Sequence, residues 1–146
     1  IDDQKIELVD HNELAKLKAL EDNANLQIVS VNGSVLIVGQ TPNTYLRDQA
    51  INAIKNVNGI VQVHNQIRIG NTVSITTKTN DIWLTSKVKA ALFGSDKLDA
   101  TNVKVITENG EVFLMGLVSK ADADIAVDIA RNVSGVNRVF KIFEYQ

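Results

Sequence analysis

The chain has 146 residues, 45% hydrophobic and 22% charged, a globular composition that excludes a disordered chain, and no apolar run approaches the roughly 18 residues a transmembrane helix needs. A net charge of -2 argues against nucleic acid as a partner, since proteins that bind it display strong basic patches. The absence of cysteine removes disulfides, thiolate metal sites and thiol catalysis together, and a first residue of Ile1 rather than Met points to a trimmed N-terminus that leaves any signal peptide out of view.

In chain order, Asp2 and Asp3 followed by Ile6, Val9, Leu14, Leu17 and Leu20 predict one amphipathic helix with acidic residues in its first turn, ended by Glu21-Asp22-Asn23. Alternation from Leu26 predicts a strand. Asn32-Gly33 is a strong hairpin signal, because both turn positions favour positive φ. The return strand spans 34–38 and is expected to break at Gly39 and Pro42. A second helix is expected over 43–57, with Leu46, Ala50, Ile51, Ala53, Ile54 and Val57 on one side, stopped by Asn58-Gly59 as an αL cap. A third strand covers 60–69. After a polar stretch at 70–79, Thr79 or Asn80 is expected to cap a helix over 81–93. Strands at 103–107 and 111–116, a helix at 120–133 and a strand at 136–144 complete the chain.

Residues 26–67 and 103–143 share one pattern. Asn32-Gly33 falls on Asn109-Gly110, Gly39 on Gly116, Val57 on Val133, Gly59 on Gly135 and Val63 on Val139. Such a repeat fixes the architecture first. It predicts two α-β-β-α-β domains, residues 1–70 and 79–146, joined by a linker at 71–78. Each is an α+β unit, a three-stranded mixed sheet with two helices packed on one face. A domain of about 70 residues buries only about 60% of the surface its unfolded chain exposes, so each is marginal alone.

The motifs NGSVLIVG with VNGIVQVHN, and NGEVFLMG with VSGVNRVFK, resemble the BON domain. Two tandem copies, with WLTSKVKAALF opening the second, resemble the dual BON-domain outer-membrane lipoproteins of Gram-negative bacteria. That resemblance implies a protein on the periplasmic side of the outer membrane, held there by a lipidated cysteine. It also implies binding of anionic, phosphatidylglycerol-like phospholipid through the first helix of the second BON domain, and support of outer-membrane integrity. This sequence contains no cysteine to lipidate, so the anchor rests on the resemblance alone.

Independently of the resemblance, the two opening helices differ where a shared core role would keep them alike. Over 2–22, three lysines face seven carboxylates, a net of -4, whereas over 78–97 four lysines face two carboxylates, a net of +2. In the second helix Leu84, Val88, Ala91 and Leu92 form the expected core stripe. Ile82, Trp83, Ser86, Lys89, Ala90 and Phe93 form another stripe roughly opposite, where a soluble helix is ordinarily polar. An aromatic face flanked by lysines suits an interfacial membrane helix, the rings at headgroup level and the lysine stems snorkelling toward phosphate. The expected lipid-binding residues are Asn80, Ile82, Trp83, Leu84, Lys87, Lys89, Ala90 and Phe93, with Lys78 adding to the charge. Within them Trp83 would insert, Lys87 and Lys89 would meet phosphates, and Leu84, Val88 and Leu92 would hold the helix to its sheet.

Two other readings of this face stay open on sequence alone. Trp83 and Phe93 could pack against the first domain, or meet a protein surface as part of an adaptor for outer-membrane assembly machinery. Other chemistry is thinly represented. His11 and His64 lack counterparts in the second copy and make a poor metal site. Asp122, Asp124 and Asp128 read as the solvated face of a helix rather than a cation loop. Neither Asn-Gly turn is followed by a phosphate-loop lysine, and no serine sits in a nucleophile elbow. The expectation is therefore a non-enzymatic module without metal or cofactor.

Overall fold

The computed structural model describes residues 2–146. They fall into two compact units that divide between Val73 and Ser74. In the first, α1 (Asp3–Ala15) and α2 (Lys18–Asn23) precede β1 (Asn25–Val31) and β2 (Ser34–Thr41), and α3 (Thr44–Ile54) leads into β3 (Gln62–Ile69). The second runs α4 (Ile75–Phe93), a short 3-10 turn at Ala100–Asn102, β4 (Lys104–Glu108), β5 (Glu111–Val118), α5 (Lys120–Arg131) and β6 (Arg138–Tyr145).

Each sheet has its middle strand second in sequence. β1 pairs antiparallel with β2, Ile28 opposite Ile37, and β2 pairs parallel with β3, Ile37 opposite Asn65. β4, β5 and β6 repeat this order, with Val105 opposite Leu114 and Leu114 opposite Lys141. The parallel pair needs a crossover, and α3 or α5 supplies it. One strand face points into a core shared with the helices: Ile28, Val35, Ile37 and Ile67 with Ile6, Leu14, Leu46 and Ile54 in the first unit. In the second, Val105, Val112 and Leu114 meet Val88, Leu92, Ala126 and Ala130. On the other face of the second sheet, Phe113 and Phe140 stack at 4.9 Å between ring centroids, and the Arg138 guanidinium lies 4.9 Å from the Phe140 ring.

Helix starts follow capping chemistry. Asp2, Asn43 and Ser119 side chains accept from the backbone N–H of Lys5, Leu46 and Asp122, satisfying amides that the first turn would leave unpaired. Four expectations from the sequence need correction. The single helix expected before β1 is broken at Leu17, which is extended at φ -98°. A straight helix of that length would run about 30 Å, whereas the bend returns Leu20 to the core that Leu14 and Ile28 share. Gly39 does not end β2, which continues to Thr41. At φ 128°, a Cβ on Gly39 would stand 1.8 Å from the Asn25 carbonyl oxygen, so glycine there lets two backbones touch rather than breaking the strand. Gly116 repeats this against the Asn102 carbonyl at 1.9 Å.

The other two corrections concern helix ends. α3 ends at Ile54, not at Val57, and Gly59 belongs to the turn beyond it, where a Cβ would lie 3.1 Å from Ile6 Cδ1. α4 begins at Ile75 because Ser74 Oγ accepts from the Thr77 N–H at 3.1 Å. The helix therefore takes in residues 75–78, expected as linker, and the connection between the elements is confined to residues 70–74.

Asp10 is the anomaly in the first core. It is fully buried on α1 and neither carboxylate oxygen has a hydrogen-bond partner. Burial first, and the Glu7 charge second, push its pKa up to about 6 from 3.8. A raised carboxylate pKa means that the folded unit holds the proton more tightly than the unfolded chain. The penalty is thus absent below about pH 4, where both states are neutral, and complete above about 6. We predict that urea denaturation finds the first unit on the order of 2 kcal/mol less stable at pH 7.5 than at pH 4.5 through this group. Asp10→Val should remove that slope and stabilise the unit at pH 7.5. Identical pH slopes in the two proteins would show that Asp10 is not the source.

Candidate functional site

The rotation of α4 about its axis is set by one carboxylate. Asp81, buried within the helix, accepts from the backbone N–H of Asn109 at 2.7 Å and of Gly110 at 2.9 Å, gripping the β4–β5 turn with both oxygens. Asn109 sits at φ 52°, so the turn's amides converge on one side. One turn further on, Thr85 Oγ1 donates to Thr107 Oγ1 at 2.8 Å. These bonds turn Leu84, Val88 and Leu92 inward, where each is at most 2% exposed. Asp3 does the same in the first unit, accepting from Asn32 and Gly33 N–H at 2.8 and 3.0 Å and from Ser30 Oγ at 2.8 Å.

Opposite that anchored face, Ile75, Ile82, Trp83 and Phe93 are exposed at 82%, 70%, 64% and 61%. At about 100° per residue they lie on one side of the helix, with exposed Ser86 and Ala90 between them and exposed Lys78 and Lys89 along one border. Neither ring belongs to the core of the second unit. No described helix is long and apolar enough to cross a membrane.

Three sequence-predicted site residues stand elsewhere than expected. Leu84 belongs to the core, 2% exposed, with Gly135 so close that a Cβ there would lie 2.9 Å from Leu84 Cδ2. It supports the exposed face from behind, in the core stripe where the helical spacing also put it. Lys87 is half-buried, and its Nζ donates to the Ser134 carbonyl at 2.7 Å, tying α4 to the turn after α5. Asn80 is exposed but lies inside the helix rather than at its cap. Conversely, Ile75 joins the exposed stripe, which the sequence reading missed by starting the helix at 81. Its signal was present, since Ile75, Ile82, Ser86 and Phe93 keep helical spacing. Asp81 was missed too, although an aspartate stands 28 or 29 residues before each Asn-Gly pair.

Since Asp3 and Asp81 make equivalent bonds, they fix the correspondence between α1 and α4. At the outward stations of Ile82, Trp83, Lys89, Ala90 and Phe93, α1 carries Gln4, Lys5, His11, Asn12 and Ala15. Only Leu8, at the station of Ser86, is a large exposed apolar residue there. The apolar stripe is a property of the second unit. His11 is exposed, and His64 Nε2 lies 3.1 Å from Ser34 Oγ; Asp128 pairs with Arg131 at 2.8 Å on the surface of α5.

The family model for the BON domain matches residues 2–71 and again 80–144. The chain belongs to the BON-domain family. It is 40% identical over 145 residues to the outer membrane lipoprotein DolP of Haemophilus influenzae, covering 99% of this chain and 75% of that one. A 21 kDa hemolysin of Actinobacillus pleuropneumoniae is 39% identical over the same share of each chain. The osmotically-inducible protein Y of Escherichia coli is 30% identical over 92% of this chain and 65% of its own. The two BON domains have the tandem α-β-β-α-β architecture expected from the repeat.

The grip of Asp81 is open to direct measurement. Asp81→Ala leaves two turn N–H groups without their charged acceptor, one of them buried, and should destabilise the second BON domain by about 2–3 kcal/mol in thermal or urea unfolding. A loss below about 0.5 kcal/mol, the range of an ordinary surface change, would mean that the Asn-Gly turn holds its own shape.

Proposed function

We propose that this chain is a non-enzymatic lipid-binding protein of the Gram-negative outer membrane, acting on its periplasmic side and supporting its integrity. The second BON domain lays the outward face of α4 on anionic, phosphatidylglycerol-like phospholipid. The observation that carries this reading is the exposure of Ile75, Ile82, Trp83 and Phe93 on one side of a single helix whose other side is locked into a core. A folded domain gains nothing from solvating four large apolar side chains in a row, whereas a membrane interface buries them.

The chemistry follows from the geometry. Trp83 offers a ring that is apolar in body and carries one N–H donor, which suits the headgroup boundary. Ile75 and Ile82 would enter the acyl boundary on one flank and Phe93 at the far end. Lys78 and Lys89 would pair with phosphates, each contributing about 1 kcal/mol against an anionic surface. Lys87, held by the Ser134 carbonyl, orients the helix instead of meeting lipid. The outer-membrane placement is supported by likeness to a relative named as an outer membrane lipoprotein.

Liposome sedimentation tests the reading. Wild type should sediment with phosphatidylglycerol vesicles and far less with phosphatidylcholine, and binding should weaken as salt rises. Trp83→Glu and Ile75→Glu should each weaken binding about tenfold or more, since each removes apolar contact and adds a like charge. Replacing Lys78 and Lys89 together with alanine should cost about 2 kcal/mol. Equal recovery of wild type and Trp83→Glu sinks the proposal. Indifference to vesicle charge together with saturable capture of one polypeptide would favour the adaptor reading instead.

A further inference from the structure

The first BON domain has an open groove of about 680 Å³ between α1 and the turn that follows α3. Ile6, Val9, Ala53 and Val57 give it an apolar lining, and Asn58 and Gly59 line it as well. Asp2 and Lys5 lie at the N-terminal end of α1, and Glu13 at the other.

The second BON domain shows what this position accommodates. Asp3 corresponds to Asp81, and Gly59 approaches Ile6 as Gly135 approaches Leu84, so Val9 corresponds to Lys87 and Asn58 to Ser134. In the second domain the lysine at that station crosses from the helix to the turn, and its ammonium donates to the Ser134 carbonyl at 2.7 Å. In the first, Val9 is too short to cross and has no cation to give. By the same correspondence the Asn58 carbonyl takes the station of the Ser134 carbonyl, beside a groove with an apolar lining.

We infer that this groove receives a lysine or arginine side chain from a partner polypeptide, which takes the place that Lys87 fills in the second BON domain. The aliphatic stem would lie on Ile6, Val9 and Val57, as long basic side chains do on apolar surface. The cationic head would reach the Asn58 carbonyl, near the C-terminal end of α3, where the helix dipole favours positive charge. Charge complementarity points the same way. At the groove itself the carboxylates of Asp2 and Glu13 stand against one lysine, Lys5, and Glu13 also meets Lys16 in an exposed ion pair at 2.9 Å. Lys5 stands at the Asp2 end, which directs the incoming cation toward the Glu13 end. This inference concerns the first BON domain alone and does not depend on lipid binding by α4.

The test is a chemical-shift titration of the full ¹⁵N-labelled chain with the peptide acetyl-Ala-Lys-Ala-amide, beside peptides with norleucine or glutamate in the middle. The lysine peptide should produce saturable shifts at the amides of Val9, Asn58 and Gly59. The norleucine peptide should bind at least tenfold more weakly, and the glutamate peptide should leave those amides unmoved. Val9→Lys, which reproduces the second domain's own bridge, should abolish the shifts, while Val9→Leu should keep them; unchanged spectral dispersion elsewhere certifies that both fold. Absence of saturable shifts overturns the proposal. So do equal responses to lysine and norleucine, stronger binding of the glutamate peptide through Lys5, or undiminished binding by Val9→Lys.

Discussion

A helix packed on a sheet can rotate about its own axis until something stops it, and in each BON domain that stop is an aspartate holding a hairpin turn. Asp81 and Asp3 accept backbone N–H groups from Asn109-Gly110 and Asn32-Gly33 at 2.7–3.0 Å. A charged acceptor on two converging donors is both stronger and more directional than apolar packing alone. The side chain is short, so helix and turn are fixed close together, and every residue on the helix inherits a direction. Leu84, Val88 and Leu92 point inward because Asp81 does, and Trp83 points outward for the same reason.

Two departures between the domains follow from that shared frame. Where the second core has Val88, the first has the unpaired Asp10; where the second has Lys87 bridging to its turn, the first has Val9 over an open groove. Both changes make the first domain the less settled of the two, since one buries a carboxylate without partners and the other forgoes a link between helix and turn. The second domain holds its opening helix at three places, Asp81, Thr85 and Lys87. The opening helix of the first domain is held at Asp3 and at Glu7, which accepts from the Ser30 N–H at 2.8 Å.

Most of the architecture was legible in the sequence because it rests on local, repeated signals. The Asn-Gly pairs, the alternating strands and the glycines at matching places define each sheet without reference to anything distant. What was not legible depended on contacts between separated segments. Gly39 reads as a breaker until the Asn25 carbonyl is placed beside it. Thr76, Thr77 and Thr79 are poor helix formers, which hid a helix start that Ser74 nonetheless caps. Of the candidate site, the outward positions of Ile82, Trp83 and Phe93 followed from periodicity. Lys87 could not be assigned that way, because its partner, Ser134, is 47 residues away.

The division of α4 into an anchored side and an open side also bears on how such a chain diverges. Residues on the outward side contribute little to folding, so they can be exchanged with small effect on stability, and a duplicated domain can acquire a new contact surface there without rebuilding its core. Gln4 and Lys5 in one copy against Ile82 and Trp83 in the other record that latitude. The inward side, tied to a turn through Asp81, has less freedom, and its exchange of Val88 for Asp10 between the copies leaves a buried carboxylate without partners. The helix thus behaves as a chassis shared by both copies with a rewritable face, and the specificity of each copy can drift while its shape is inherited.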